Sequence, residues 1–171
     1  MTTQVKEQLQ SIHVHVPHHR SRYMLSQWEH ICVIVTIGKN IDISMDAKGQ
    51  IIELTMQPDT TDVIDLQRCA SFIQAVILGF SIPVARVLLN RDNVYVDSIN
   101  FTDINAEQQI PKQLDTNLLC RNINKTKSDI EQSTNTSIHM DNTKIYILGS
   151  TMCIKNYKDH LGQLISLYTR N

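Results

Sequence analysis

Arg121–Lys127, RNINKTK, is the stretch whose reading decides the second half of the chain. A short helix-like segment, Asp115–Cys120, precedes it, and another, Ser128–Ser133, follows. After these come a strand at Ser137–Met140, a turn at Asp141–Asn142, a strand at Lys144–Leu148 and a helix over Met152–Tyr168. In that helix Ile154, Tyr157, Leu161, Leu164, Ile165 and Tyr168 recur at the helical period. On this reading RNINKTK is a loop between two helices.

Toward the N-terminus, NVYVDSINFTDI (93–104) alternates apolar and polar residues and reads as a strand bent near Asp97–Ser98. Val94, Val96, Ile99 and Phe101 are its inward candidates. PVARVLLN (83–90) is a short helix with Pro83 in its first turn. PDTTDVIDLQRCASFIQAVILGF (58–80) is the clearest helix. Thr61 or Asp62 caps it, Asp65 suits its first turn, and Leu66, Cys69, Phe72, Ile73, Val76 and Ile77 form its apolar face. Gly79 is placed to stop it. ICVIVTI (31–37) is a continuous β-branched run, the pattern of a buried strand, and IIELTM (51–56) pairs with it across the turn DAKGQ.

Residues 1–27 are polar and histidine-rich, and are expected to form an arm ahead of order that begins near Trp28. The fold class is therefore α+β. The pattern predicts an arm (1–27), a domain over 28–92 and a second over 93–171, each a small sheet with helices on one face.

The 171 residues are 42% hydrophobic and 19% charged, with a net charge of −1. That balance suits a globular protein and excludes one that is basic throughout, so any phosphate binding must use a local patch. The start, MTTQVKEQLQ, lacks a signal-type apolar core, and the apolar runs are too short to span a bilayer. No membrane partner is expected. Cys32, Cys69, Cys120 and Cys153 are far apart and read as thiols in a reducing compartment.

No nucleophile elbow, P-loop or GxGxxG motif is present. Asp59, Asp62 and Asp65 complement a helix dipole rather than mark acid–base chemistry. His13, His15, His18 and His19 do not suggest a metal site, because ligands must converge from an ordered scaffold. With Arg20 and Arg22, His18 and His19 are candidate contacts to RNA or protein. No catalytic residue, metal or cofactor is expected.

Helix, loop, helix, strand, strand, helix is the order of a KH module after its first strand. There a GxxG loop lets backbone approach the phosphates of about four nucleotides. Arg121, Asn122, Ile123 and Asn124 fill that place without a glycine. Asn tolerates the left-handed backbone, and Ile does so poorly. Arg121, Lys125 and Lys127 still offer donors to phosphate, and residue physics alone leaves a plain surface loop and an RNA contact equally open.

Five segments resemble one family in order and with nearly constant spacing. They are VPHHR (16–20), TTDVIDLQRCASFIQAVILGF (60–80), RDNVYVDSINFTDI (91–104), NKTKSDIEQSTNTSIHM (124–140) and TKIYILGS (143–150). The family is the KH-domain factor of small ribosomal subunit assembly known as the partner of the Nob endonuclease. The resemblance implies two tandem KH-like domains, the first degenerate and the second RNA-binding. It implies a non-enzymatic factor that binds pre-18S rRNA near its 3′ end within the small-subunit precursor. It also implies docking of the Nob-family endonuclease, work beside the rRNA dimethyltransferase, and residence in nucleus, nucleolus and cytoplasm.

The family's GKGG falls on Arg121–Asn124, so its glycines and lysine are replaced, while Lys125, Thr126 and Lys127 keep the KTK that follows. Asn135 and Ser137 replace two arginines, and the family's basic C-terminal tail has no counterpart, which implies a divergent and shortened member. The expected RNA contacts are Arg121, Asn122, Asn124, Lys125, Thr126 and Lys127, in a loop whose clamp has eroded. A scaffold, or a component retained on ribosomes, with little direct RNA affinity is the competing reading. For protein contact the N-terminal arm and the Asp62–Leu78 helix are the candidate surfaces.

Overall fold

The computed structural model describes residues 10–59, 62–101, 103 and 116–169. Thr61 as a cap, Asp115 as a helix start and the side chain of Tyr168 lie outside the described residues. The chain divides into two units, Met1–Asn90 and Arg91–Asn171.

The first unit runs β1 (Ser11–His15), α1 (His18–Ser26), α2 (Trp28–Lys39), β2 (Ile41–Met45), β3 (Ile51–Met56), α3 (Val63–Leu78), then the short helices α4 (Ile82–Ala85) and α5 (Val87–Asn90). Its antiparallel sheet has the order β1-β3-β2, with Ser11 opposite Thr55 and His15 opposite Ile51. The polar arm is thus corrected. Residues 11–26 are a sheet strand and a helix, and only the average polarity of the stretch had suggested otherwise. Val14 and Val16 are buried while His13 and His15 are exposed, so the strand signal is alternation. Pro17, with its fixed φ, stands at the N-cap of α1.

ICVIVTI is likewise corrected from strand to helix. Within α2, Ile31 and Val35 are buried one turn apart, whereas Val33 is 54% and Ile37 80% exposed. A continuous β-branched run does not separate strand from helix, and the tertiary setting chose helix. Asn40, at φ 56°, ends α2. The hairpin partner of β3 is therefore Ile41–Met45. In the turn between them Gly49 adopts φ 64°, and Asp46 Oδ1 accepts from the amides of Gln50 and Ile51. Those bonds hold the Asp46 carboxyl below its usual range.

Helix α3 follows its sequence pattern. Asp62 caps it by accepting from Ile64 N at 2.9 Å, and Gly79 ends it at φ 123°. Leu66, Cys69, Phe72, Ile73 and Val76 are buried, and the helix packs on β1 and β3. Burial, then the charge of Asp65, pushes the Cys69 thiol up to about 12, as expected of an inert core thiol.

The second unit runs β4 (Val94–Asn100), α6 (Thr116–Thr134), β5 (Ser137–Met140), β6 (Lys144–Ser150) and α7 (Thr151–Thr169). Its antiparallel sheet, β4-β6-β5, repeats the order of the first. The β4–β6 register runs unbroken from Val94–Ser150 to Asn100–Lys144, so β4 has no bulge at Asp97–Ser98. Val94 and Val96 consequently lie on the opposite face from Ile99 and Phe101. Ile99, Phe101, Ile138, Ile145 and Ile147 face the helices and pack with Leu119, Ile123, Ile130, Ile154, Tyr157, Leu161 and Ile165. Asp97, on the same face, accepts from Lys158 Nζ of α7 at 2.7 Å. Both units are small sheets with helices packed on one face, in tandem KH-like form.

Candidate nucleic-acid interface

The expected loop does not exist. Helix α6 runs through 116–134, and RNINKTK is its interior. Leu119, Ile123 and Ile130 share one face, and Ile123 is fully buried in the core. Glycine is the residue that would have broken this helix, at about 1 kcal/mol each relative to Ala. None of Gly38, Gly49, Gly79, Gly149 and Gly162 falls there. Arg, Asn, Lys and Thr all continue a helix, and burial of Ile123 drives it.

A helix interior uses its own amides, bonding each to the carbonyl four residues back. A backbone cradle for phosphate is therefore absent in 121–124. The side chains carry what is left. Asn122 Nδ2 donates back to Leu118 O at 2.9 Å, and Thr126 Oγ1 donates to Asn122 O at 2.8 Å. Both expected contacts are thus turned onto the helix itself. Lys127 is half-buried and lies 3.9 Å from Glu131, whose Oε1 accepts from Ile138 N. Arg121, Asn124 and Lys125 are exposed. Arg121 and Lys125 stand one turn apart on the outward side, where such pairs are about 5–6 Å apart at Cβ. Ser128 joins them at i+3 from Lys125 and was missed from sequence, since a loop reading hides helical spacing. Asn135, at φ 53°, ends α6. An Asn where the family has Arg is therefore well suited to stopping this helix.

The second candidate group separates in the same way. His18, His19 and Arg22 are exposed on α1. Arg20 instead points inward: its Nη2 donates to Val76 O at 2.9 Å, at the C-terminal turn of α3. Its guanidinium lies 4.4 Å from the Tyr23 ring centroid. A cation there satisfies a helix carbonyl and complements the dipole, so Arg20 is a structural link between α1 and α3. His13 Nε2 approaches Glu53 Oε1 at 3.5 Å across the β1–β3 pair. Among the described residues no His, Cys, Asp or Glu cluster fits a metal ion, and no helix is long and apolar enough to cross a membrane.

No family model matches the chain. It is 31% identical over 137 residues to the RNA-binding protein pno1 of Drosophila melanogaster, covering 80% of this chain and 57% of that protein. It is 33% identical over 172 residues to the pre-rRNA-processing protein PNO1 of Candida glabrata, covering 96% of this chain and 62% of that one. The chain thus spans about three fifths of the length of such relatives. Among solved structures, Dim2p of Pyrococcus horikoshii matches with a TM-score of 0.69 at 21% identity, over 91% of this chain and 90% of that one. A chain from the a/eIF2alpha–aDim2p–rRNA complex of the same organism matches with a TM-score of 0.73 at 22% identity, over 93% and 86%. These structures share the fold.

Proposed function

We propose that this chain, which belongs to the PNO1 family of pre-rRNA-processing proteins, is a non-catalytic RNA-binding factor of small-subunit ribosome biogenesis. The observation that carries the reading is the outward pair of cations on α6, Arg121 and Lys125, flanked by Asn124, Ser128 and one carboxylate, Asp129, on the second KH-like unit. In the finer form, it binds pre-18S rRNA near the 3′ end and docks the Nob-family endonuclease, beside the dimethyltransferase. It acts in nucleus, nucleolus and cytoplasm. The ordered family motifs support this finer form, and the names of its relatives support pre-rRNA processing.

Mechanistically, α6 contacts phosphate with side chains alone. Two cations give a shallow salt slope, with about one unit lost per phosphate contact removed. The free protein therefore binds weakly, and neighbouring proteins in the precursor supply effective concentration. A second reading, a protein scaffold with little RNA affinity, is favoured by the exposed apolar side chains of Leu25, Val33 and Ile37 on α1 and α2.

The test is gentle purification of the tagged protein from its own cells, with sequencing of co-purifying small-subunit rRNA 3′ ends. Extended ends together with the endonuclease are expected, and Arg121→Glu with Lys125→Glu lowers RNA recovery about tenfold as its salt dependence flattens. Mature ends without the endonuclease mean a role on finished ribosomes. Full endonuclease recovery with unchanged RNA in the double variant removes α6 as the RNA contact.

A further inference from the structure

We propose that the face of the second sheet opposite its helices, at the end that carries Tyr146 and His139, is a base-stacking platform for single-stranded RNA built on those two residues. It extends the RNA-binding reading and rests on it, but uses a surface separate from α6.

Alternation along the strands places these side chains. Ile145 and Ile147 of β6, and Ile138 of β5, enter the core beneath the helices. Lys144 and Tyr146, and His139 on β5, therefore belong to the opposite face. The register sets His139, Tyr146 and Ser98 in one row across the three strands, and Lys144 opposite Asn100 in the next. Ser98 is exposed, and His139, Tyr146, Lys144 and Asn100 are half-exposed.

The tyrosine is held in place before any ligand arrives. Its hydroxyl donates to Asp141 Oδ2 at 3.3 Å, while Asp141 Oδ1 accepts from the amides of Thr143 and Lys144. The anchoring carboxylate is thus occupied by the turn. An aromatic ring fixed on a sheet, with a second ring opposite and a cation and an amide beside it, offers what a splayed base needs: a π surface and edge donors. In a duplex those base faces are covered, so the face selects single strands.

The first unit supplies an internal contrast. Its equivalent face carries His13 and His15, but also Asp42 and Glu53, with Glu53 beside His13. Carboxylates there oppose phosphate. On the strands of the second face the only charged side chain on this side is Lys144, since Asp97 belongs to the helix side with Lys158. The second face sets Lys144 beside one carboxylate, Asp141, which the turn amides and Tyr146 already engage, whereas the first carries two carboxylates, Asp42 and Glu53.

The experiment irradiates the full chain with a bromouridine-substituted single-stranded RNA oligomer and maps the cross-linked peptides. Cross-links at Tyr146 or His139 are expected, and they persist in the Arg121→Glu, Lys125→Glu variant. Tyr146→Phe, which keeps the ring, retains affinity to within about twofold, and Tyr146→Leu lowers it about tenfold, the loss of one base stack. Circular dichroism checks that both variants fold. Cross-links confined to α6, or Tyr146→Leu binding like wild type, overturn the platform and leave the RNA-binding function standing. No binding of either this oligomer or a duplex control overturns both.

Discussion

Both units carry the same strand order, and both lack glycine where a KH clamp would have it, yet they replaced the clamp differently. In the first, α1 and α2 meet at Gln27, whose amide bonds to Tyr23 O and Met24 O while its carbonyl accepts from Ile31 N. Hydrogen bonding crosses the junction, and the chain bends without a loop. In the second, described from residue 116, α6 does not break around 121–124. The outward residues differ as well: Leu25, Val33 and Ile37 in the first, Arg121 and Lys125 in the second. Losing glycine removes backbone access to phosphate in either case. What each helix then offers depends on its exposed side chains: Leu25, Val33 and Ile37 beside His18, His19 and Arg22 in the first unit, Arg121 and Lys125 beside Leu118 in the second.

The sharpest way to break this comparison is Ile123→Ala. If Ile123 is a core residue of a continuous helix, the substitution destabilises the second unit by about 2–5 kcal/mol in urea denaturation. A surface loop would lose almost nothing. Next is Arg20→Ala in the first unit. It removes the bond to Val76 O and the Tyr23 contact, costing about 1–3 kcal/mol while leaving RNA affinity unchanged. A fall in RNA affinity without loss of stability would return Arg20 to the binding surface.

Smaller is the effect of restoring family glycines, Arg121→Gly with Asn124→Gly. Helix α6 should lose about 1 kcal/mol, visible as reduced far-ultraviolet helicity. Unchanged helicity would mean that core packing, not residue preference, holds the helix together. The smallest effect is at Asp97. The hydrogen bond from Lys158 holds its carboxyl below the usual range. A lowered folded value stabilises above the unfolded value of about 3.9, and the contribution is lost as pH falls through the folded value. The pair is more than a third exposed, so the gain is under about 1 kcal/mol. Asp97→Asn should flatten stability against pH in that acid window, and an unaltered profile would show the pair to be inert.

Much of the fold was legible. Helix α3, with Asp62 at its start and Gly79 at its end, could be read from capping and period. So could the β5–β6 hairpin turning at Asp141, and α7. These signals are local, set by side chains that bond to their own backbone or repeat at one period. The conformation of the candidate site was not legible. The family motif pointed to Arg121–Lys127, and the glycine-based expectation of a loop then hid the spacing of Leu119, Ile123 and Ile130.

By itself the sequence determined the α+β class, the tandem arrangement, the family and the cationic character of 121–127. Only the tertiary structure decided that His13 and His15 lie on a sheet strand, that ICVIVTI is helical, that Arg20 caps α3 and that Ile123 is core. The physical reason is the same in each case. A polar stretch becomes a strand only when a partner such as β3 satisfies its amides, and a β-branched run becomes a helix when only one stripe of it is buried. A residue is core only when other elements cover it.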